Sequence, residues 1–165
     1  MMENRRYPLA MRYLLLPLLA ACAQPMWAQD CNSPQVLCGE MPTAVNLTAL
    51  QPVLYDCIDA PYTLFMEFTT NANTDFTGAV QIDFQAINCS TDGVPDLISA
   101  LIVEPDQQNY CDQTSYLPVS PCAQFSEAHT LTSFDLAPNT RYLLILGTSH
   151  EPTAAPCGLT VSLNG

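Results

Sequence analysis

The chain of 165 residues contains no lysine, and its positive charge comes from four arginines set against 16 carboxylates, a formal charge of −12. Three of those arginines lie at the start of the chain, so Arg141 is the only basic side chain of fixed charge beyond Arg12. Nucleic-acid binding works by lysine and arginine displacing counterions from phosphates, and this poverty in cations excludes DNA, RNA and nucleotides as partners. Charged residues of all kinds reach only 12% while apolar ones reach 48%, which excludes a disordered acidic tail. Histidine is equally scarce. A Ser or Cys triad would have to take its base from His129 or His150, and the first opens a predicted strand while the second sits in a proline-rich loop. Both read as surface histidines. No His-Glu-x-x-His, Gly-x-Ser-x-Gly, P-loop or dinucleotide glycine pattern occurs, so hydrolase and nucleotide chemistry lose their usual supports.

Long apolar runs are also missing. Arg5, Arg6 and Arg12 precede Tyr13–Ala21, an apolar stretch too short to span a bilayer, and together they read as a secretory signal peptide over residues 1–28 followed by one domain over 29–165. Met26-Trp27-Ala28 suits signal-peptidase cleavage, whereas Leu19-Ala20-Ala21-Cys22 has the form of a lipobox, with Cys22 as an acylated anchor. Cleavage after Ala28 removes Glu3 and three arginines, leaving 15 carboxylates and a charge of −14. Such a surface disfavours anionic lipid headgroups and leaves Cys22 as the only route to a membrane. The compartment expected is extracytoplasmic, either secreted or at the cell surface.

Seven of the eight cysteines follow residue 28, and after a secretory leader they read as disulfides. Zinc sites favour Cys-x2–4-Cys spacing, which is absent. Short spacing favours Cys31–Cys38 and Cys111–Cys122 as bridges, with one further pair among Cys57, Cys89 and Cys157, Cys89–Cys157 being the pair carried forward. An odd count then leaves one of those three as a free thiol.

Between the cysteines the chain reads as strands. Tyr62, Leu64, Met66 and Phe68 share one face of an aromatic, β-branched segment ending at Thr70. Val80, Ile82, Phe84 and Ala86 alternate with Gln81, Asp83 and Gln85, a core face against a solvent face that a helix would scatter. Further strands are expected at Leu97–Val103, Thr130–Leu136, Tyr142–Leu146 and Gly158–Leu163, with Val45–Leu50 as an edge strand. Fourteen prolines sit mainly between these runs, and the class implied is an all-β, disulfide-bonded antiparallel β-sandwich.

The cysteine positions and strand texts together resemble a family of secreted Bacteroidetes β-sandwich modules found near the N-terminus of large cell-surface proteins, gliding-motility-associated ones included. The residues that carry this are Cys31-x6-Cys38-Gly39, Cys57 ahead of Phe65-Met66-Glu67-Phe68-Thr69-Thr70, Ile87-Asn88-Cys89 with Gly93, and Cys157-Gly158-Leu159-Thr160-Val161. Leu136-Ala137-Pro138-Asn139-Thr140-Arg141-Tyr142 is similar to the strand-turn-strand text of pre-peptidase C-terminal and CUB-like jelly-roll domains. Asn139 replaces the usual glycine, a mild departure because Asn tolerates a left-handed turn, and the missing tryptophan leaves Tyr62 or Phe65 to fill the core. The resemblance implies an extracellular, non-catalytic module and carries over no catalytic residues.

Binding chemistry remains. Asn71-Ala72-Asn73-Thr74-Asp75 has the alternating oxygen ligands of a calcium loop, but Phe76 and Ile82 break the EF-hand pattern; Asp92 and Asp96 flank Gly93 in a second acidic turn. Asn71, Asn73, Asp75, Asp92 and Asp96 are therefore the metal candidates, and calcium is the one cofactor the pattern admits, plain turns being the simpler reading. Tyr110, Tyr116 and Phe125 cluster around the Cys111–Cys122 segment as a surface for sugar or protein, or as packing beneath it. Two N-x-S/T sequons occur at Asn46 and Asn88. The function expected is a structural or adhesion module whose partners are surface proteins or glycans, with a calcium-dependent carbohydrate-binding module as the alternative and a small glycan hydrolase as the third.

Overall fold

Where apolar residues alternate along a segment the chain forms strands buried on one face, and where they run on without a break it forms strands buried on both. The computed structural model describes residues 31–39, 41–48, 50–72, 77–91, 93–149, 151 and 157–165. The expected leader, the Cys22 anchor and His150 lie outside them. The strands are β1 (Gln35–Val36), β2 (Thr43–Asn46), β3 (Leu50–Tyr55), β4 (Ile58–Thr69), β5 (Val80–Asn88), β6 (Ser90–Thr91), β7 (Val94–Pro95), β8 (Ile98–Glu104), β9 (Leu117–Pro118), β10 (Ala123–Phe125), β11 (His129–Ser133), β12 (Arg141–Thr148) and β13 (Gly158–Asn164).

One sheet has the order β4-β12-β8-β10, with β1 and β3 both pairing β4 and β9 pairing β8; the other has the order β11-β5-β13-β2; β6 and β7 form a separate hairpin. Every pairing is antiparallel except β1 with β4. Eight principal strands, β2, β4, β5, β8, β10, β11, β12 and β13, pair as first with last, second with seventh, third with sixth and fourth with fifth. That nesting, wrapped over two sheets, is the jelly-roll arrangement of the β-sandwich class.

Between the sheets, Leu64, Met66 and Phe68 of β4, Ile102 of β8 and Tyr142, Leu144 and Leu146 of β12 meet Val80, Ile82 and Phe84 of β5, Leu131 of β11 and Val161 of β13. Phe68 stacks on Tyr142 at 5.7 Å between ring centroids, and Phe84 on Phe125 at 4.7 Å. Ala86 departs from the expected alternation: it is exposed, with φ +50°, and Ile87 packs on the core instead. The register between β5 and β13 explains this, because Asn88 faces Gly158 while Gln85 faces Thr160, so β5 carries one extra residue in a bulge.

The far side of the larger sheet is not solvent. Phe65 of β4, Leu101 and Val103 of β8, and Leu143 and Ile145 of β12 form a second core with Val53, Ile58, Ala60, Tyr116 and Cys31. Phe65, left open as a filler for the missing tryptophan, belongs to this outer layer. Gly147 permits it: a Cβ there would lie 2.8 Å from both Ala60 Cβ and Ile58 Cγ2, so the β3–β4 hairpin sits directly on β12.

The cystines correct the expected framework. Cys31 pairs with Cys111 (Cα–Cα 5.5 Å), Cys57 with Cys122 (6.0 Å) and Cys89 with Cys157 (4.2 Å). Cys38 is disulfide-bonded as well, so neither Cys31–Cys38 nor Cys111–Cys122 forms, and the free thiol expected among Cys57, Cys89 and Cys157 is absent. Spacing arguments treat the chain as a coil in which near neighbours meet most often, whereas here the fold docks the Tyr110–Tyr116 segment over the larger sheet beside Cys31 and brings the β3–β4 turn to the start of β10.

Candidate functional site

Arg141 opens β12, and β12 lies between β4 and β8, so the one arginine among the described residues stands on the larger sheet where β4 and β8 end. In register terms Arg141 faces Thr69, two residues beyond Glu67 on the same face of β4. Its Nε lies 3.4 Å from Glu67 Oε1. Tyr110 donates its hydroxyl to Glu67 Oε2 at 2.8 Å, and the Arg141 guanidinium carbon sits 5.6 Å from the centre of the Tyr110 ring. Burial, followed by the bond to the Glu67 carboxylate, pushes the Tyr110 phenol well above the ordinary tyrosine range. Its neighbour Cys111 is bonded to Cys31. A cystine thus fixes Tyr110, Tyr110 fixes Glu67, and Glu67 holds Arg141.

Beside this group is an open pocket of ≈ 440 Å³ lined by Thr69, Glu104, Gln107, Asn139, Thr140 and Arg141. Its rim is rigid. Thr70 Oγ1 donates to the Ala137 carbonyl at 2.6 Å and accepts from the Thr140 amide at 2.9 Å; the Ala137 amide donates to the Tyr142 hydroxyl at 2.9 Å. Asn139 adopts φ +51°, the left-handed conformation expected of Asn in place of glycine.

Of the predicted metal residues Asn71 and Asp96 are described, and these two lie apart. Asn71 follows the end of β4, beside Asn139, whereas Asp96 precedes β8, its amide bonded to the Cys89 carbonyl. Because β12 runs antiparallel to both strands, these two residues lie beyond opposite ends of the sheet, whose paired span from Arg141 to Thr148 alone is about seven strand rises or about 23 Å. Asn73, Asp75 and Asp92 lie outside the described residues, and among the described residues no group of three or more His, Cys, Asp and Glu is placed to hold a metal.

Of the two readings of the aromatics around residues 110–125, a binding surface or packing beneath the segment, Tyr116 and Phe125 follow the second. Tyr116 and Phe125 are buried, on opposite faces of the sheet: Tyr116 packs in the outer core against Tyr55, with its hydroxyl 3.3 Å from Cys31 Sγ, and Phe125 packs between the sheets. Burial raises the Tyr116 phenol to about 12. His129 stacks on Phe125 at 4.9 Å and lines a smaller pocket with Asp83, Gln85 and Thr130, where Asp83 accepts from Thr130 Oγ1 at 2.6 Å and from Asn164 Nδ2 at 2.8 Å. Asn46 and Asn88 both face Gly158, one from each side. The Arg141 pocket escaped sequence reasoning because Glu67, Glu104, Tyr110 and Arg141 are far apart along the chain; the solitary arginine was its one signal.

No family profile and no curated protein matches this chain. Among solved structures it is similar to CorA, a surface-associated copper-binding protein important in copper acquisition by Methylomicrobium album BG8, at 9% identity and a TM-score of 0.43, covering 82% of this chain and 95% of that one.

Proposed function

We propose that this protein is an extracytoplasmic binding module of a bacterial surface, one that engages surface proteins or glycans without turning them over. The observation that carries the reading is the Arg141 pocket: a rigid, polar, open recess on a scaffold whose layers are tied by cystines. Cystines of this density belong to oxidising compartments outside the cytoplasm. Glu67, the carboxylate nearest Arg141, is occupied by the arginine and by Tyr110, an arrangement suited to holding a shape rather than to moving protons. The jelly-roll pairing and the left-handed Asn139 support membership among secreted Bacteroidetes surface modules of the pre-peptidase C-terminal or CUB-like type.

Protease treatment of intact source cells tests the reading. A surface module disappears from immunoblots before the cells are lysed, whereas a chain degraded only after lysis would overturn the proposal.

A further inference from the structure

We infer that the Arg141 pocket is a metal-independent subsite for neutral, polyhydroxylated ligands, the hydroxyl-rich face of a glycan. This deepens the binding reading above and rests on it for the absence of turnover.

The lining sets the ligand's charge. Arg141 and Glu104 both line the pocket, and Glu67, paired with Arg141, is a second carboxylate close by. An anionic ligand meets both carboxylates and the strongly negative chain around them; a cationic ligand meets the arginine. A neutral ligand meets neither penalty.

The lining also sets the polarity. Thr69, Gln107, Asn139 and Thr140 add hydroxyls and amides, and among the described residues no aliphatic or aromatic side chain lines the pocket. Binding must therefore come from hydrogen bonds, and the ligand must offer donors and acceptors in close alternation. Adjacent sugar hydroxyls do this, each giving one hydrogen to a carboxylate or amide oxygen and accepting one from a guanidinium or amide N–H. The volume of ≈ 440 Å³ falls within the range of about 300–1,000 Å³ usual for small-ligand sites.

Preorganisation completes the case. Exposed arginine side chains lose much rotamer freedom when they bind, but Arg141 is already held by Glu67 and the Tyr110 ring, and Tyr110 is anchored next to the Cys31–Cys111 cystine. The carboxylate that holds the arginine accepts from Tyr110 as well, so its orientation is fixed before any ligand arrives.

The test is a screen of the oxidised full chain on an array of neutral, uronate-bearing and sulfated oligosaccharides in chelator, then calorimetry with the best neutral sugar. Binding to neutral sugars is expected, weakened about ten- to hundredfold by Arg141→Ala and by Glu104→Gln, each of which removes a charged hydrogen-bonding partner. Tyr110→Phe, which leaves the lining intact and frees Glu67, is expected to weaken binding by less. Gln107→Ala alters an exposed side chain and keeps the test open if Arg141→Ala fails to fold. Binding of no neutral sugar at millimolar concentration, a preference for anionic sugars or for neutral peptides, or affinity unchanged in Arg141→Ala at an unaltered melting temperature would each overturn the inference. Glycan binding by a chain that protease cannot reach on intact cells sinks the surface reading alone; surface exposure without glycan binding sinks the pocket alone.

Discussion

The two apolar layers of this protein are built by different means. Between the sheets, strand faces meet strand faces, and the layer is closed by aliphatic and aromatic side chains at alternate positions of β4, β5, β12 and β13. On the outer side of the larger sheet there is no second sheet to meet. Phe65, Leu101, Leu143 and Ile145 are covered instead by the curled β3–β4 hairpin and the segment carrying Tyr116. The cystines divide in the same way: Cys89–Cys157 belongs to the inter-sheet core, while Cys31–Cys111 and Cys57–Cys122 both pin the outer cover. Hydrophobic packing suffices where two regular faces interlock, and covalent bonds accumulate where irregular chain must be held down.

Breaking cystines one at a time gives the largest test of this division. Their loops span 80, 65 and 68 residues, so loop-closure entropy assigns each about 4 kcal/mol. If the cover depends on its bonds, the Cys57→Ala/Cys122→Ala double variant loses protection from amide exchange over β3 and the 105–116 segment while β5 and β13 stay protected. Removal of Cys89–Cys157 lowers stability by a similar amount without that local opening. Uniform loss of protection in both variants would show that the layers form one unit.

A smaller perturbation aims at the seat of the hairpin. Gly147→Ala places a methyl against Ile58 and Ala60, and forcing a methylene-sized group into packed contacts costs about 1–3 kcal/mol. Chemical denaturation should register that loss, and the variant should expose Tyr55 to iodination. An unchanged midpoint would mean the hairpin lifts freely, contrary to its burial.

The smallest effect concerns alkaline pH. Tyr116 is raised to about 12 by burial in the outer layer, against about 10 in an unfolded chain. Above pH 10 the unfolded state gives up this proton before the native one does, so the contribution is intact below about pH 10 and is lost as pH rises through about 12. Ultraviolet difference titration of Tyr116→Phe should lack one late phenol, and its denaturation midpoint should fall less steeply over that window. A slope equal to that of the parent chain would assign the titration elsewhere.

The strands of the inter-sheet layer were legible because period two is written into the text of Val80 to Phe84 and of Tyr62 to Phe68, and the observed β4, β5, β8, β12 and β13 match the expected segments closely. Ala86 was misread because a bulge inserts a residue that composition does not announce. The outer layer was illegible for a deeper reason. An unbroken run such as Leu143 to Leu146 declares burial on both faces without naming what covers the second one, and the cover here comes from residues 31, 53–60 and 116. Cys31–Cys111 and Cys57–Cys122 were missed for the same cause, since their partners are chosen by that docking, whereas Cys89–Cys157 of the inter-sheet core pairs as expected. Of the candidate pocket, Arg141 alone was conspicuous; Glu67 and Tyr110 become its partners only through the register of β4 with β12 and the placement of the 105–116 segment.

The nested pairing has a consequence for how such a chain matures. β12 and β13, which join β4 to β8 and β5 to β2, come last among the described strands, so the larger sheet stays in two parts until residues 141–148 are made and the smaller one until residues 158–164 are. In a chain made from its N-terminus, Cys31, Cys57, Cys111 and Cys122 are therefore all present before the sheet that their cystines cover is complete. Cystines formed before β12 takes its place have no sheet to select their partners, and thiol exchange is the reaction that re-pairs them once it does.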